Sequence, residues 1–241
     1  MADALLALEG VHTHIGPYHI LHEVNFDVPR GGVTMLLGRN GAGKSTTLRT
    51  IMGLWKASRG AITFDGRPIQ SLATPDIARA GIAYVPENMG IFADLTVAEN
   101  MRLAATSGPF DEKRLAWIKE LFPPIGTFWD KAAGTLSGGQ KQMLSVARAI
   151  IEPRRLILID EPSKGLAPAI IAAMTAALKQ LKDTDTTILL VEQNFAMASA
   201  LGDTVAVMDD GRIVHAGAMA ELAADASLQE KLMGLSLEVH Q

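Results

Sequence analysis

The sequence predicts an α/β fold: a mostly parallel core sheet, an antiparallel β patch beside it, and an α-helical segment inserted into it. Three observations carry this. Short apolar runs recur at 33–37, 82–85, 156–159 and 186–191. They are too short for helices and too unbroken for half-exposed strands, so they read as strands buried on both faces. Helical stretches alternate with them, and strand–helix–strand alternation belongs to layered α/β architecture. Two regions break that rhythm, and they supply the patch and the insert.

From about residue 10 to 66 there are extra strand-like pieces. Ala61-Ile62-Thr63-Phe64 before the turn Asp65-Gly66 is one, and such pieces predict the antiparallel patch. The run at 33–37 leads into a glycine-rich segment, and a helix is expected over 45–52. After the strand at 82–85 the chain turns helical. Thr96 and Glu99 have capping-box spacing, followed by Met101, Leu103 and Ala104. Pro123-Pro124 divides this stretch. We expect one domain over 1–241, with 1–86 and 137–241 forming the core and 87–136 the insert.

A second helix begins after Leu136, with Met143, Val146, Ala147, Ile150 and Ile151 as its buried face. Ile171, Met174, Leu178 and Leu181 share a face on the next. Strand-like 205–208 and 212–215 flank Asp209-Asp210-Gly211, a hairpin signal. A terminal helix carrying Leu228, Leu232 and Leu235 is expected last.

Composition narrows the function. A 241-residue chain that is 48% hydrophobic buries a sizeable core without cross-links. It has no cysteine, which excludes disulfides, thiolate metal sites and a cysteine nucleophile. The net charge of −4 argues against a dedicated nucleic-acid binder. Residues 1–10 lack the basic region of a signal peptide. No apolar run approaches the ~20 residues needed to span a bilayer. Work at a membrane is therefore expected from the aqueous side, held by a partner.

Gly38-Arg39-Asn40-Gly41-Ala42-Gly43-Lys44-Ser45 matches G-x-x-x-x-G-K-[ST] in full. The glycines let successive backbone N–H groups point at one phosphate chain, and the helix that follows adds its positive end. Lys44 is expected to reach the β- and γ-phosphates and Ser45 to bind Mg²⁺, with Thr46 offering a second hydroxyl. An apolar strand before and a helix after weigh against a plain glycine turn.

The run at 156–159 ends in Asp160-Glu161. A buried strand delivers both carboxylates to the carboxyl edge of the sheet, where ligands of open α/β folds bind. Asp160 suits Mg²⁺, and Glu161 suits a general base for attacking water. Alone, this pair reads equally well as a solvated strand end. Ser137-Gly138-Gly139-Gln140 opens a helix, and Ser137 with Gln140 fits a capping box. A cap needs no glycine pair, so the segment also reads as a second anion site, on the nucleotide of a partner subunit.

Together these motifs resemble the ATP-binding subunit of an ABC transporter, from about Leu6 to Gly217. The resemblance implies a P-loop NTPase of the ABC cassette type. It also implies a head-to-tail dimer in which the loop of one subunit and the Leu136–Gln140 segment of the other enclose each ATP. Within that family the chain resembles the LivF-like branch of branched-chain amino acid, urea and amide importers, which implies uptake of a small polar solute, branched-chain amino acids first, with urea, amides or aromatic acids as alternatives. Residues 82–87, 91–100, 165–168 and 191–194 carry that likeness.

The chain departs from the wider family in four places. Glu87 stands where most members have glutamine; it is expected to sense Mg²⁺ and link to the insert, against the plainer reading of a solvated carboxylate. Gln193 replaces the usual histidine, and an amide can hydrogen-bond a γ-phosphate but carries no charge. Ala167 replaces an aspartate. Where members stack adenine on an aromatic residue, this chain has Ile15-Gly16, with Tyr18 nearby. Either Ile15 packs on the base or Tyr18 swings in. His12, His14, His19 and His22 share that stretch and read better as a solvated face than as a metal site.

The implied partners are two membrane-spanning permease subunits, a second ATPase subunit (a LivG-like sister or another copy of this chain) and, indirectly, a periplasmic solute-binding protein, with no nucleic acid. The implied location is the cytoplasmic face of the inner membrane. A soluble ABC-type ATPase acting on ribosomes or DNA, and a regulatory module without turnover, are the competing readings.

Overall fold

The structure, a computed structural model, describes residues 3–106 and 108–233. The expected Leu235 lies outside them. A long hairpin of β1 (Ala4–Ile15) and β2 (Tyr18–Pro29) opens the chain. β3 (Val33–Leu37) runs into α1 (Lys44–Ile51), and β4 (Ala57–Phe64), β5 (Arg67–Pro68), α2 (Thr74–Arg79) and β6 (Ile82–Val85) follow. Next come α3 (Val97–Ala104), α4 (Glu112–Leu121), α5 (Pro123–Thr127) and the long α6 (Gly138–Ile150). β7 (Leu156–Asp160), α7 (Pro168–Lys182), β8 (Thr187–Val191) and α8 (Phe195–Leu201) lead to the hairpin β9 (Thr204–Asp209) and β10 (Arg212–Ala218). α9 (Met219–Ala224) and α10 (Ala226–Met233) complete it.

The six-stranded sheet has the order β10-β9-β3-β8-β7-β6, parallel throughout except for β10. The four-stranded sheet, β2-β1-β4-β5, is antiparallel. Every residue of β3, β7 and β8 is buried, as unbroken apolar runs require. Alternate residues divide between two cores. Leu36, Leu158 and Leu189 face the antiparallel sheet and α1; Met35, Ile157 and Leu190 face the helices on the other side. The antiparallel patch begins at Ala4, earlier than the strand-like pieces indicated, because Leu5, Leu6 and Leu8 are buried in the core that also holds Leu48 and Ile51 of α1.

Pro123 and Pro124 occupy the first turn of α5, where a missing N–H costs nothing. The break they cause follows Phe122, which ends α4. Phe122 is 1% exposed and joins Leu115, Ile118 and Ile125 in the same cluster as Val85 and Met143. Phe122→Ala is expected to cost ~3–5 kcal/mol through the cavity it leaves. A thermal melt should register it as a fall of ~2–4 °C per kcal/mol for a chain of this size. Thr96 caps α3 in a full capping box with Glu99, as its spacing indicates. Among the described residues no helix is long and apolar enough to cross a membrane.

Candidate active site

Backbone geometry builds the phosphate-binding loop between β3 and α1. Gly38 has φ +144°, and a Cβ there would lie 2.1 Å from the Met208 carbonyl oxygen. Gly41 and Gly43 also take positive φ, and Gly43 starts α1 without any side-chain cap. The first N–H groups of α1 thus remain available to an anion. The β9–β10 hairpin braces the loop from outside. Its turn has positive φ at both Asp210 and Gly211, the two-residue geometry that suits hairpin twist. Gly211 accepts from the His22 N–H at 2.8 Å and donates to the Ala42 carbonyl at 2.9 Å.

Lys44 is almost fully buried and donates to the Gly38 and Arg39 carbonyls at 2.9 and 3.0 Å. Burial lowers its pKa, against the opposing pull of Glu161 and Asp160. Ser45 donates to Asp160 Oδ1 at 2.9 Å, and the Tyr84 hydroxyl donates to Oδ2 at 3.3 Å. Asp160 is wholly buried, and desolvation raises its pKa. A hydroxyl and a carboxylate side by side are hard oxygen donors, the set Mg²⁺ prefers.

Glu161 is 8% exposed and takes φ +49°, a region disfavoured for residues with a side chain. Its N–H donates to the Val191 carbonyl at 2.9 Å. Its carboxylate accepts from Gln193 Nε2 at 2.6 Å and lies 3.7 Å from Lys44 Nζ. Gln193 Nε2 also donates to Asn40 Oδ1 at 2.6 Å, tying the loop to Glu161. Strain of this kind concentrates at working residues.

A cavity of about 350 Å³ opens over these groups, lined by Asn40, Gly41, Gly43, Lys44, Ser45 and Thr46 together with Glu87, Glu161, Lys164 and Ile20. Eight of the sequence-derived residues line it, and hydrogen bonds attach Asp160 and Gln193 to them. Lys164 and Ile20 are residues that the sequence reading missed. Lys164 bridges Glu87 at 2.5 Å and reaches Glu161 at 3.5 Å. Its position three residues after Glu161 was the available signal. Ile20, and neither Ile15 nor Tyr18, lines the cavity. Ile15 pairs with Tyr18 at the tip of the β1–β2 hairpin, and Tyr18 is 70% exposed.

Ser137 to Gln140 lie outside this cavity. Ser137 and Gln140 form the capping box in both directions, at 2.9 and 3.3 Å. The two glycines differ in their surroundings. Gly139 is buried, and a Cβ there would meet Ile170 Cγ2 at 2.6 Å. Gly138 is exposed with nothing within 4 Å, so packing within the chain does not account for it.

The imidazoles of His12, His14, His19 and His22 stack along one strip; His14 and His19 lie 4.2 Å apart and nearly parallel. Desolvation, then the neighbouring imidazoles, lowers the His19 pKa. Among the described residues no group of three or more His, Cys, Asp or Glu side chains is placed to hold a metal.

The chain belongs to the ABC transporter family, whose pattern it matches over residues 21–164. It is an ATP-binding subunit and an ATPase whose hydrolysis is coupled to transport. It is 38% identical to the high-affinity branched-chain amino acid transport ATP-binding protein BraG of Pseudomonas aeruginosa, over 95% of this chain and 100% of that protein. It is 35% identical to the probable branched-chain amino acid transport ATP-binding protein LivF of Archaeoglobus fulgidus, over 90% and 93%. A solved ATP-binding subunit of an ABC transporter superposes with a TM-score of 0.80 at 32% identity, over 97% and 96%.

Proposed function

We propose that the chain drives import of branched-chain amino acids, hydrolysing MgATP at an interface with a second ATPase subunit. The similarity to BraG along its whole length carries the choice of cargo. In this reading Gly38 to Thr46 wrap the phosphates, and Lys44 turns from its own loop carbonyls to the β- and γ-phosphates. Ser45, Asp160 and Glu87 are the residues that would hold Mg²⁺. When bound, that ion neutralises charge on the β- and γ-phosphoryl oxygens.

Glu161 accepts a proton from the attacking water as its oxygen bonds to the γ-phosphorus. The bond to the bridging oxygen breaks, and ADP leaves with that electron pair. Gln193 holds Glu161 and, as an uncharged donor, the γ-phosphate. Gly138, free of packing in its own chain, gives the partner's nucleotide access to the start of α6. Ile20 contacts the adenosine end in addition to Ile15 or Tyr18.

The segment 87–136 is the part of the single domain that moves. A groove of about 370 Å³ between it and the core is lined by Tyr84, Pro86, Met89, Ala104, Ser145 and Arg148. Half-exposed Phe92 packs under the Arg148 guanidinium at 5.3 Å. This groove takes a cytoplasmic loop of a permease subunit, at the inner face of the membrane. The second ATPase is a LivG-like sister, and a periplasmic binding protein selects the solute.

Affinity purification of the tagged chain from solubilised membranes tests this. Recovery of two multi-span proteins and a sister ATPase is expected. Leucine, isoleucine and valine should saturate the associated binding protein. A binding protein that ignores them and takes urea or an amide would overturn the cargo, and ribosomes or DNA in the eluate would overturn the transport role.

One consequence concerns stability. Because the folded pKa of Asp160 is raised, its ionised form is disfavoured in the fold. Stability from this group is full at low pH and falls as pH rises through that raised pKa, so at neutral pH the charge is a cost. Asp160→Asn is expected to raise the melting temperature of the ligand-free protein by ~2–4 °C per kcal/mol recovered. Stabilisation by MgATP should largely disappear. A ligand-free melt lower than wild type would contradict the argument.

A further inference from the structure

A cavity of about 670 Å³ lies on the side of the molecule opposite the active site. It sits at the amino ends of β3, β7 and β8, whereas the phosphate loop and Glu161 lie at their carboxyl ends. Arg30, Arg114, Arg154 and Arg155 line it, together with the hydroxyl-bearing stretch Thr184 to Thr187. Asp185 is the one acidic residue among those lining it.

The four guanidiniums are not equally compensated. Arg30 and Arg155 share Asp65, each at 2.7 Å, and Arg30 also pairs with Asp3. These two form a neutralised rim. Arg154 pairs with Glu152 at 2.9 Å, but its Nε is buried without a hydrogen-bond partner. Arg114, half-buried on α4, has no carboxylate within ion-pair distance among the described residues; its Nε donates to the Ile150 carbonyl at 2.5 Å. Burial lowers the Arg114 pKa; the Asp111 carboxylate at the start of α4 opposes that fall, and the charge of Arg154 adds to it. Arg114 and Arg154 thus bring two like charges to the wall of one cavity, where Glu152 pairs with Arg154 and, among the described residues, no carboxylate pairs with Arg114.

We propose that this cavity binds a small phosphomonoester, its phosphate held between Arg114 and Arg154. Forked guanidinium donors match phosphate oxygens in pairs, and threonine hydroxyls suit the remaining oxygens or the alcohol part. The volume exceeds what a bare phosphate ion needs and falls within the range of small-ligand sites. Arg114 belongs to the insert and Arg154 to the core, so a ligand held by both ties one to the other.

The test uses the full chain saturated with magnesium and a non-hydrolysable ATP analogue, so that the phosphate loop is already filled. Inorganic phosphate is titrated against chloride at matched ionic strength while the melting temperature is followed. At ten times its dissociation constant, phosphate is expected to raise the midpoint by ~3–6 °C. Arg114→Gln and Arg154→Gln should each weaken the phosphate response about tenfold or more, as loss of charge-assisted hydrogen bonds does. Arg59→Gln, at an exposed position on the other sheet, should leave it unchanged. Should Arg114→Gln fail to fold for want of its bond to Ile150, Arg154→Gln and Arg114→Lys still decide the matter. Glycerol 3-phosphate is expected to bind more tightly than phosphate; equal binding would overturn the phosphomonoester and leave a site for phosphate alone. No shift with either, or shifts undiminished in the arginine variants, would overturn the proposal.

Discussion

Glu161→Gln is expected to lower the ATP hydrolysis rate by roughly 10²–10⁴-fold, the range a positioned general base supplies, while MgATP binding stays within a few-fold of wild type. The two effects separate because of where Glu161 sits. It lies on the inner wall of the cavity, 3.7 Å from Lys44 Nζ, and its Oε1 already accepts from Gln193 at 2.6 Å. The substitution keeps the shape and one acceptor oxygen but removes the basicity. Nothing that wraps the phosphates is lost, since those contacts come from the loop backbone, Lys44 and Ser45. Removing a negative charge beside the γ-phosphate should if anything tighten ATP binding. Equilibrium binding of a fluorescent ATP analogue and phosphate release would be measured on the same preparation. Wild-type turnover in Glu161→Gln would remove Glu161 from the mechanism and leave its strained backbone unexplained.

The sequence made the floor of this site legible and left its lid obscure, and the reason is physical. Gly38 to Ser45 and Asp160-Glu161 are contiguous motifs, each fixed by one strand end. The buried strands showed themselves because a sheet covered on both faces tolerates no polar alternation, as in 187–191. Ile20 and Tyr84 enter the site only through folding, and for Lys164 the one local sign is its place three residues after Glu161. The Lys164–Glu87 bridge spans 77 positions, and the Tyr84–Asp160 bond 76. No local pattern encodes such a pair. Gly139 shows the same limit in reverse: its neighbour is Ile170 on α7, so a contact across the fold decides its role. Glu161 adds a third case, because a positive φ at a glutamate leaves no trace in residue type.

Lys44→Ala should act on binding as well as on turnover, weakening ATP affinity by roughly 10- to 100-fold, the cost of losing a charge-assisted hydrogen bond to a phosphate. In the ligand-free protein Lys44 donates to two carbonyls of its own loop and faces Glu161. Burial holds its pKa down, so its charge is poorly compensated until an anion arrives. A folded lysine pKa below the unfolded value disfavours the charged form. The group therefore costs stability at neutral pH, and the cost fades as pH rises through the lowered pKa. The nucleotide's phosphates supply the missing countercharge, and that is the interaction alanine removes. The loss should be smaller for AMP than for ATP, since AMP lacks the β- and γ-phosphates that Lys44 is expected to reach. Isothermal titration with both nucleotides would read this difference directly. An equal loss for AMP and ATP would mean that Lys44 supports the shape of the loop and not the phosphates within it.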